Sequence, residues 1–181
     1  MLIDPQRACL LLIDIQEKLV PAVADNQILI ANSRWLLEVA RILDIPILVS
    51  EQYPQGLGHT VAELNEFCRT DNTLTKQHFS CTADDQCLAQ INASCREQVV
   101  LIGMEAHVCV LQTALGLLQQ GKEVFVVADT VGSRNPADKH LGIERMRQCG
   151  AQIVSREMVA FEWMQRSGTD QFKTISKHYL R

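Results

Sequence analysis

The sequence predicts an α/β protein built on one parallel sheet with helices on both faces. Three observations carry that reading. Several short apolar runs are continuous rather than alternating, as in strands covered on both sides; ACLLLI at 8–13 and VVLI at 99–102 are the clearest. Between such runs lie segments whose apolar residues recur at helical spacing. Along all 181 residues there is no internal repeat, low-complexity tract or linker, so a single domain spanning 1–181 is expected.

In chain order, Ala8–Ile13 is the first strand and Asp14 falls at its end. Ile28–Leu43 sets Leu36, Leu37, Ala40 and Leu43 on one side of a helix. Ile45–Val49 is the second strand, with Pro46 at its start, where a missing N–H is tolerated. The stretch SEQYPQGLGHT at 50–60 has the proline and glycines of a loop. Thr73–Lys76 is a short third strand, and Ala83–Cys95 is helical with Thr82 as its expected N-cap. Val99–Ile102 is the fourth strand. Gly103 ends it, and Cys109 opens a helical segment in which Val110, Ala114, Leu117 and Leu118 share a face. Gly121 closes that helix. Glu123–Ala128 is the fifth strand, Asp138–Cys149 a helix stopped by Gly150, and Ala151–Val154 the sixth strand. Ser155–Gln165 and Thr169–Tyr179 read as helices that complete the shell.

Apolar residues make up 47% of the chain and charged residues 21%, ordinary globular values. A net charge of −4 offers no electrostatic basis for binding nucleic acid or an anionic membrane. No apolar run approaches the roughly 20 residues that span a bilayer. MLIDPQRA is not a charged segment leading into an apolar one, so a cytoplasmic location is expected. The seven cysteines contain no C-x-x-C, which excludes zinc-knuckle and thioredoxin motifs. Most of them read as free thiols of a reducing cytosol. Gly56-x-Gly58 lacks the third glycine of a dinucleotide loop, Val61 standing there, and is discounted.

Three reactive side chains occupy equivalent topological positions. Asp14 ends the first strand, Lys76 ends the third, and Cys109 follows the fourth. In a parallel sheet ligands bind beyond the carboxyl ends of the strands, so all three would face one crevice. Singly, Asp14 reads as a helix N-cap, Lys76 as a solvated charge and Cys109 as a small apolar residue. Together they suit nucleophilic catalysis. A cysteine at a strand-to-helix turn sits at the positive end of a helix dipole, which would lower its thiol pKa. Free N–H groups of the same turn could hold an oxyanion. His107, two residues before Cys109, does not share its helical face and ranks below Asp14 and Lys76.

LLIDIQ at 11–16, TLTKQHFS at 73–80 and GMEAHVCV at 103–110 resemble, in order and over nearly the whole chain, the isochorismatase-like cysteine hydrolase superfamily. That superfamily includes nicotinamidases, N-carbamoylsarcosine amidohydrolases and isochorismatases. The resemblance implies a three-layer α/β/α Rossmann-like sandwich with a six-stranded parallel sheet in the order 3-2-1-4-5-6. It implies an Asp14–Lys76–Cys109 triad and a homo-oligomer. It also implies a non-proline cis peptide at Met104–Glu105, with the Glu105 and Cys109 N–H groups as oxyanion hole. Gln52, Tyr53, Phe79 and His107 are candidate pocket residues, with a packing or surface role as the alternative for each.

Nicotinamidases carry an Asp-x-His pair and a further histidine around the 50–60 loop, binding a metal. Here Glu51, Gln52 and His59 stand in that region, one acid and one histidine. Metals usually need roughly three or more protein ligands, so no metal and no cofactor is expected. A thiol suits C–N or acyl hydrolysis better than cleavage of a vinyl ether. The expected function is therefore a cofactor-independent cysteine hydrolase of a small amide or related carbonyl compound, acting through a thioester-type intermediate. A non-catalytic oligomeric scaffold and a redox sensor that retain the triad are the other two readings.

Overall fold

A computed structural model describes residues 1–180. Six strands form one sheet: β1 (Ala8–Ile13), β2 (Ile47–Gln52), β3 (Thr73–Lys76), β4 (Gln98–Met104), β5 (Glu123–Gly132) and β6 (Gln152–Val154). All pair in parallel, in the order β3-β2-β1-β4-β5-β6. The α-helices among the described residues are α1 (Asn26–Ile42), α2 (Pro54–Leu57), α3 (Asp85–Ala93), α4 (Leu111–Gln119), α5 (Pro136–Gln148), α6 (Arg156–Met164) and α7 (Asp170–Tyr179). This is the three-layer Rossmann-like arrangement and the strand order expected for the chain.

The continuous apolarity of β1 follows from a core on each face. Ala8, Leu10 and Leu12 enter one cluster, with Leu36 and Leu37 of α1 and Val159 and Trp163 of α6. Cys9, Leu11 and Ile13 enter the other, with Ile91 of α3 and Ala114 and Leu117 of α4. Strands β4 and β5 divide the same way, Ile102 and Phe125 to the first core and Leu101 and Val126 to the second. Burying one such side chain contributes about 1.5–3 kcal/mol, so neither face of β1 tolerates a polar residue without a partner.

Several element boundaries differ from the sequence reading. Strand β2 starts at Ile47, after Pro46, and runs on to Gln52 because Val49–Gln52 pair with Thr73–Lys76. The first three residues of the stretch read as a loop, Ser50–Gln52, are thus strand, and Pro54–Leu57 of the remainder is helical. Thr82 does not cap α3. It lies in a 3-10 turn, Cys81–Ala83, capped by Ser80, while the Asp84 carboxylate accepts the Cys87 N–H and starts α3 at Asp85. Helix α4 begins at Leu111 rather than at Cys109.

Two features shape the carboxyl edge of the sheet. Strand β5 bulges, so the residue beside Leu101 is Val126 but the residue beside Gly103 is Val131. That brings Val131 and Gly132 alongside the end of β4. Gly103 itself has φ +121°, and a Cβ there would lie 2.0 Å from the Ile13 carbonyl oxygen. Only glycine lets β1 and β4 approach this closely at the point where the chain leaves for the turn that carries Cys109.

Candidate active site

The site is assembled from the carboxyl ends of neighbouring strands. Ile13 pairs with Ser50, and the next N–H, that of Asp14, donates to the Ser50 carbonyl at 3.1 Å. Asp14 has φ +52°, a left-handed conformation that aspartate tolerates better than most residues. On the other side of β2, Gln52 pairs with Lys76. The side chains then close on one another. Asp14 Oδ1 accepts from Ser50 Oγ at 2.7 Å, and Oδ2 accepts from Lys76 Nζ at 2.7 Å. Lys76 Nζ also donates to Gln52 Oε1 at 2.7 Å. Asp14, Lys76 and Ser50 are wholly buried.

Cys109 arrives from the far side of β1. After β4 the Met104–Glu105 peptide is cis, and Ala106–Val110 forms a π-helical turn. The Glu105 carbonyl accepts from both Val108 and Val110, the wider of the two bonds marking the π geometry. Cys109 sits on this turn, 8% exposed. Its thiol lies close enough to the Asp14 carboxylate and the Lys76 ammonium for each to bear on its titration. The turn is held from outside. His107 Nδ1 is 3.0 Å from Ser133 Oγ, and Arg134 Nε donates to Glu105 Oε1 at 2.7 Å. Gly142 of α5 lies against it, for a Cβ there would come within 2.9 Å of His107 Cα.

The electrostatics reverse one expectation. The helix dipole was expected to lower the Cys109 pKa. Burial instead pushes the thiol well above its usual range, and the adjacent Asp14 carboxylate adds to the rise, more than Lys76 offsets. The resting group is a thiol. Complete burial raises the Asp14 carboxyl above its ordinary value, partly countered by Lys76 and by the bonds from Lys76 and Ser50. Burial alone would lower the Lys76 ammonium, but the Asp14 carboxylate outweighs it and holds the charge.

The pocket candidates separate. Gln52 joins the buried network through Lys76. Tyr53 and Phe79, 48% and 54% exposed, follow β2 and β3 at the surface. His107 bonds Ser133. Glu51 points away from Gln52 along the strand and is saturated: Oε1 takes the Thr60 N–H and hydroxyl, Oε2 the His59 ring at 2.9 Å. Among the described residues no group of three or more His, Cys, Asp or Glu side chains is placed to hold a metal ion. Ser50, Gln16 and Cys81 were missed from sequence. Ser50 shares the strand face of Gln52 by the two-residue period, which was the available signal. Cys81, wholly buried beside Asp14 and Lys76 and pushed up to about 11 by burial, had none.

Comparison with known proteins adds to this geometry. The family model described as "Isochorismatase domain" matches residues 8–158. Isochorismatase domain-containing protein 2A of Mus musculus is 38% identical over 174 residues, covering 96% of this chain and 82% of that protein. Among solved structures, MAR1 ribonuclease from Caenorhabditis elegans is 38% identical with TM-score 0.91, covering 100% of this chain and 93% of that one. The YcaC product of Escherichia coli, described as an octameric hydrolase of unknown specificity, is 25% identical with TM-score 0.91, covering 99% and 92%.

Proposed function

This chain belongs to the isochorismatase family, a family with a hydrolase fold, and from that premise we propose that it is a cysteine hydrolase of a small amide or related carbonyl compound. The observation that carries the reading is the Asp14 carboxylate, wholly buried and bonded by Lys76 and Ser50, with the half of the site opposite them occupied by the turn that carries Cys109. In this reading Asp14 is general base and acid, Lys76 holds the charge balance, and Cys109 is the nucleophile.

The chemistry follows from the protonation states. The thiol gives its proton to Asp14 as sulfur attacks the substrate carbonyl, so no standing thiolate is needed. A carboxylate with a raised pKa is the stronger base for that transfer. Backbone N–H groups of Glu105 and Cys109 receive the oxyanion. The C–N bond breaks, the amine leaves with the proton from Asp14, and a thioester remains. Water then attacks the thioester while Asp14 takes its proton. The thiol departs reprotonated and a carboxylic acid is released. The sum is amide plus water to acid plus amine, with no redox change and no cofactor.

We read the whole chain as one hydrolase domain, since its single sheet takes strands from Ala8 to Val154 and α6 and α7 pack into the same core. All seven cysteines are unpaired, which favours a reducing compartment such as the cytoplasm. No helix among the described residues is long and apolar enough to cross a membrane. A homo-oligomer is supported by the octameric relative and by exposed Phe161 on α6 beside exposed Leu2.

A ribonuclease is the second reading, brought by the name of the C. elegans structure. The net charge of −4 disfavours contact with a phosphate backbone. The deciding experiment incubates the wild type and Cys109→Ala with a panel of small amides and ureides and, separately, with single-stranded RNA. Amide turnover that disappears with the sulfur supports the proposal. RNA cleavage that survives Cys109→Ala, with no amide turned over, overturns it.

A further inference from the structure

We propose that Gln52 is a positioning residue for Lys76, a neutral acceptor that fixes the ammonium between Asp14 and Cys109 rather than a side chain lining the pocket. This rests on the hydrolase reading for what the triad finally does, though not for how Lys76 is placed.

Every polar atom of Gln52 has a partner. Its Nε2 donates to the Gln77 carbonyl at 2.8 Å. An amide nitrogen aimed at a carbonyl leaves the amide oxygen to face the other way, onto Lys76 Nζ at 2.7 Å. The backbone is pinned as well. Gln52 N–H donates to Gln16 Oε1 at 2.7 Å, while Gln16 Nε2 donates to the Gln52 and Gly58 carbonyls at 2.9 and 2.6 Å. Gln16 is itself wholly buried. A chain of two glutamines therefore holds the acceptor at one point in space.

Lysine carries three N–H donors on a freely rotating head, and such a head does not aim itself. Here two donors are spent, on Asp14 Oδ2 and Gln52 Oε1. With two bonds fixed the third N–H is fixed too. It is the one left for the Cys109 sulfur or for whatever that sulfur attacks. Ser50 plays the matching part on Asp14 by donating to Oδ1. A carboxylate at 52 would accept equally well, but it would repel the Gln77 carbonyl oxygen and set a second anion beside Asp14 and Cys109. The ionisable groups that face Lys76 are Asp14 at the end of β1, Cys109 on the π turn and Cys81 on the turn after β3, with Cys87 of α3 behind Cys81. Cys109 faces Asp14, Lys76 and Cys81.

The test is the pH dependence of Cys109 alkylation by iodoacetamide, followed by peptide mapping in wild type, Gln52→Glu and Gln52→Met. It needs no substrate, so a failed amide assay leaves it intact, and its own failure leaves the hydrolase reading intact. Both variants are expected to slow labelling about tenfold at each pH between about 7 and 8, the equivalent of raising the thiol's ionisation by about one pH unit. In Gln52→Met the buried ammonium has lost an acceptor and keeps its charge less well. In Gln52→Glu a second anion opposes the thiolate. Labelling of exposed Cys95 should stay as in wild type. A purely structural role would lower Tm without changing that rate. A folded variant whose profile superimposes on wild type overturns the proposal. Gln52→Met, uncharged and of similar length, decides the matter where Gln52→Glu does not fold.

Discussion

Lys76 Nζ lies 2.7 Å from Asp14 Oδ2, and neither side chain meets solvent. Two opposite charges removed from water survive only if each is the other's main source of compensation. Ser50 and Gln52 complete it with one neutral bond apiece. In the proposed hydrolase, proton transfer would thus take place beside a charge pair whose net charge is zero.

Removing one partner should be costly. Lys76→Met and Asp14→Asn are each expected to lose about 3–5 kcal/mol, the penalty for stranding a buried charge. The double variant should lose less than the two singles together, because neither charge is then stranded. Urea denaturation of the four proteins measures this directly. Strictly additive losses would mean the two groups are not coupled.

Alkaline pH should weaken the fold. Burial pushes the thiols of Cys9 and Cys81 up to about 11 and that of Cys87 up to about 12. In the unfolded chain a cysteine ionises near about 8.5. The folded values are raised, so the stabilisation is complete below that unfolded pKa and is lost as pH climbs through the folded ones. Each thiol removes up to about 1.4 kcal/mol per pH unit in that window. A falling Tm between about pH 8 and 10, with a shallower fall in Cys9→Ala, is the expected record; parallel curves for the two proteins would contradict it.

Resting reactivity should lie elsewhere than at Cys109. Near neutral pH, exposed Cys95 and Cys149 should alkylate before Cys109, because its buried thiol stays protonated beside Asp14. Peptide mapping after a short iodoacetamide pulse reads the order. Cys109 labelled first would restore the activated thiolate that a helix dipole suggests.

Gly142→Ala probes the turn from behind. The added methyl would meet the His107 backbone at 2.9 Å and press on the π turn two residues before Cys109. On whichever amide is turned over, kcat should drop about tenfold or more with a small change in Tm. A large Tm loss at unchanged kcat would assign Gly142 to packing alone.

Much of this was legible in the chain. The apolar runs at Ala8–Ile13 and Val99–Ile102 announce strands with a core on each side, and the strand ends mark Asp14 and Lys76. What local pattern could not carry was set by long-range pairing. Ser50–Gln52 became strand because Thr73–Lys76 lies beside them, although Pro54, Gly56 and Gly58 gave the stretch the look of a loop. The thiol of Cys109 was misjudged because dipole and spacing are read along the chain, while burial and the Asp14 field come from across the sheet. Cys81 joined the site through a turn that no periodicity marks.

The order of the strands also dictates a reach. Asp14 hangs from β1 and Lys76 from β3, with β2 between them. Adjacent strands lie about 4.8 Å apart, so the cation must cross roughly twice that to meet the acid. Only a long unbranched stem ending in a small head does so while lying flat over its neighbour. Loops beyond the rim could then change without altering the distance at which ammonium and carboxylate meet, since that measure is woven into the sheet.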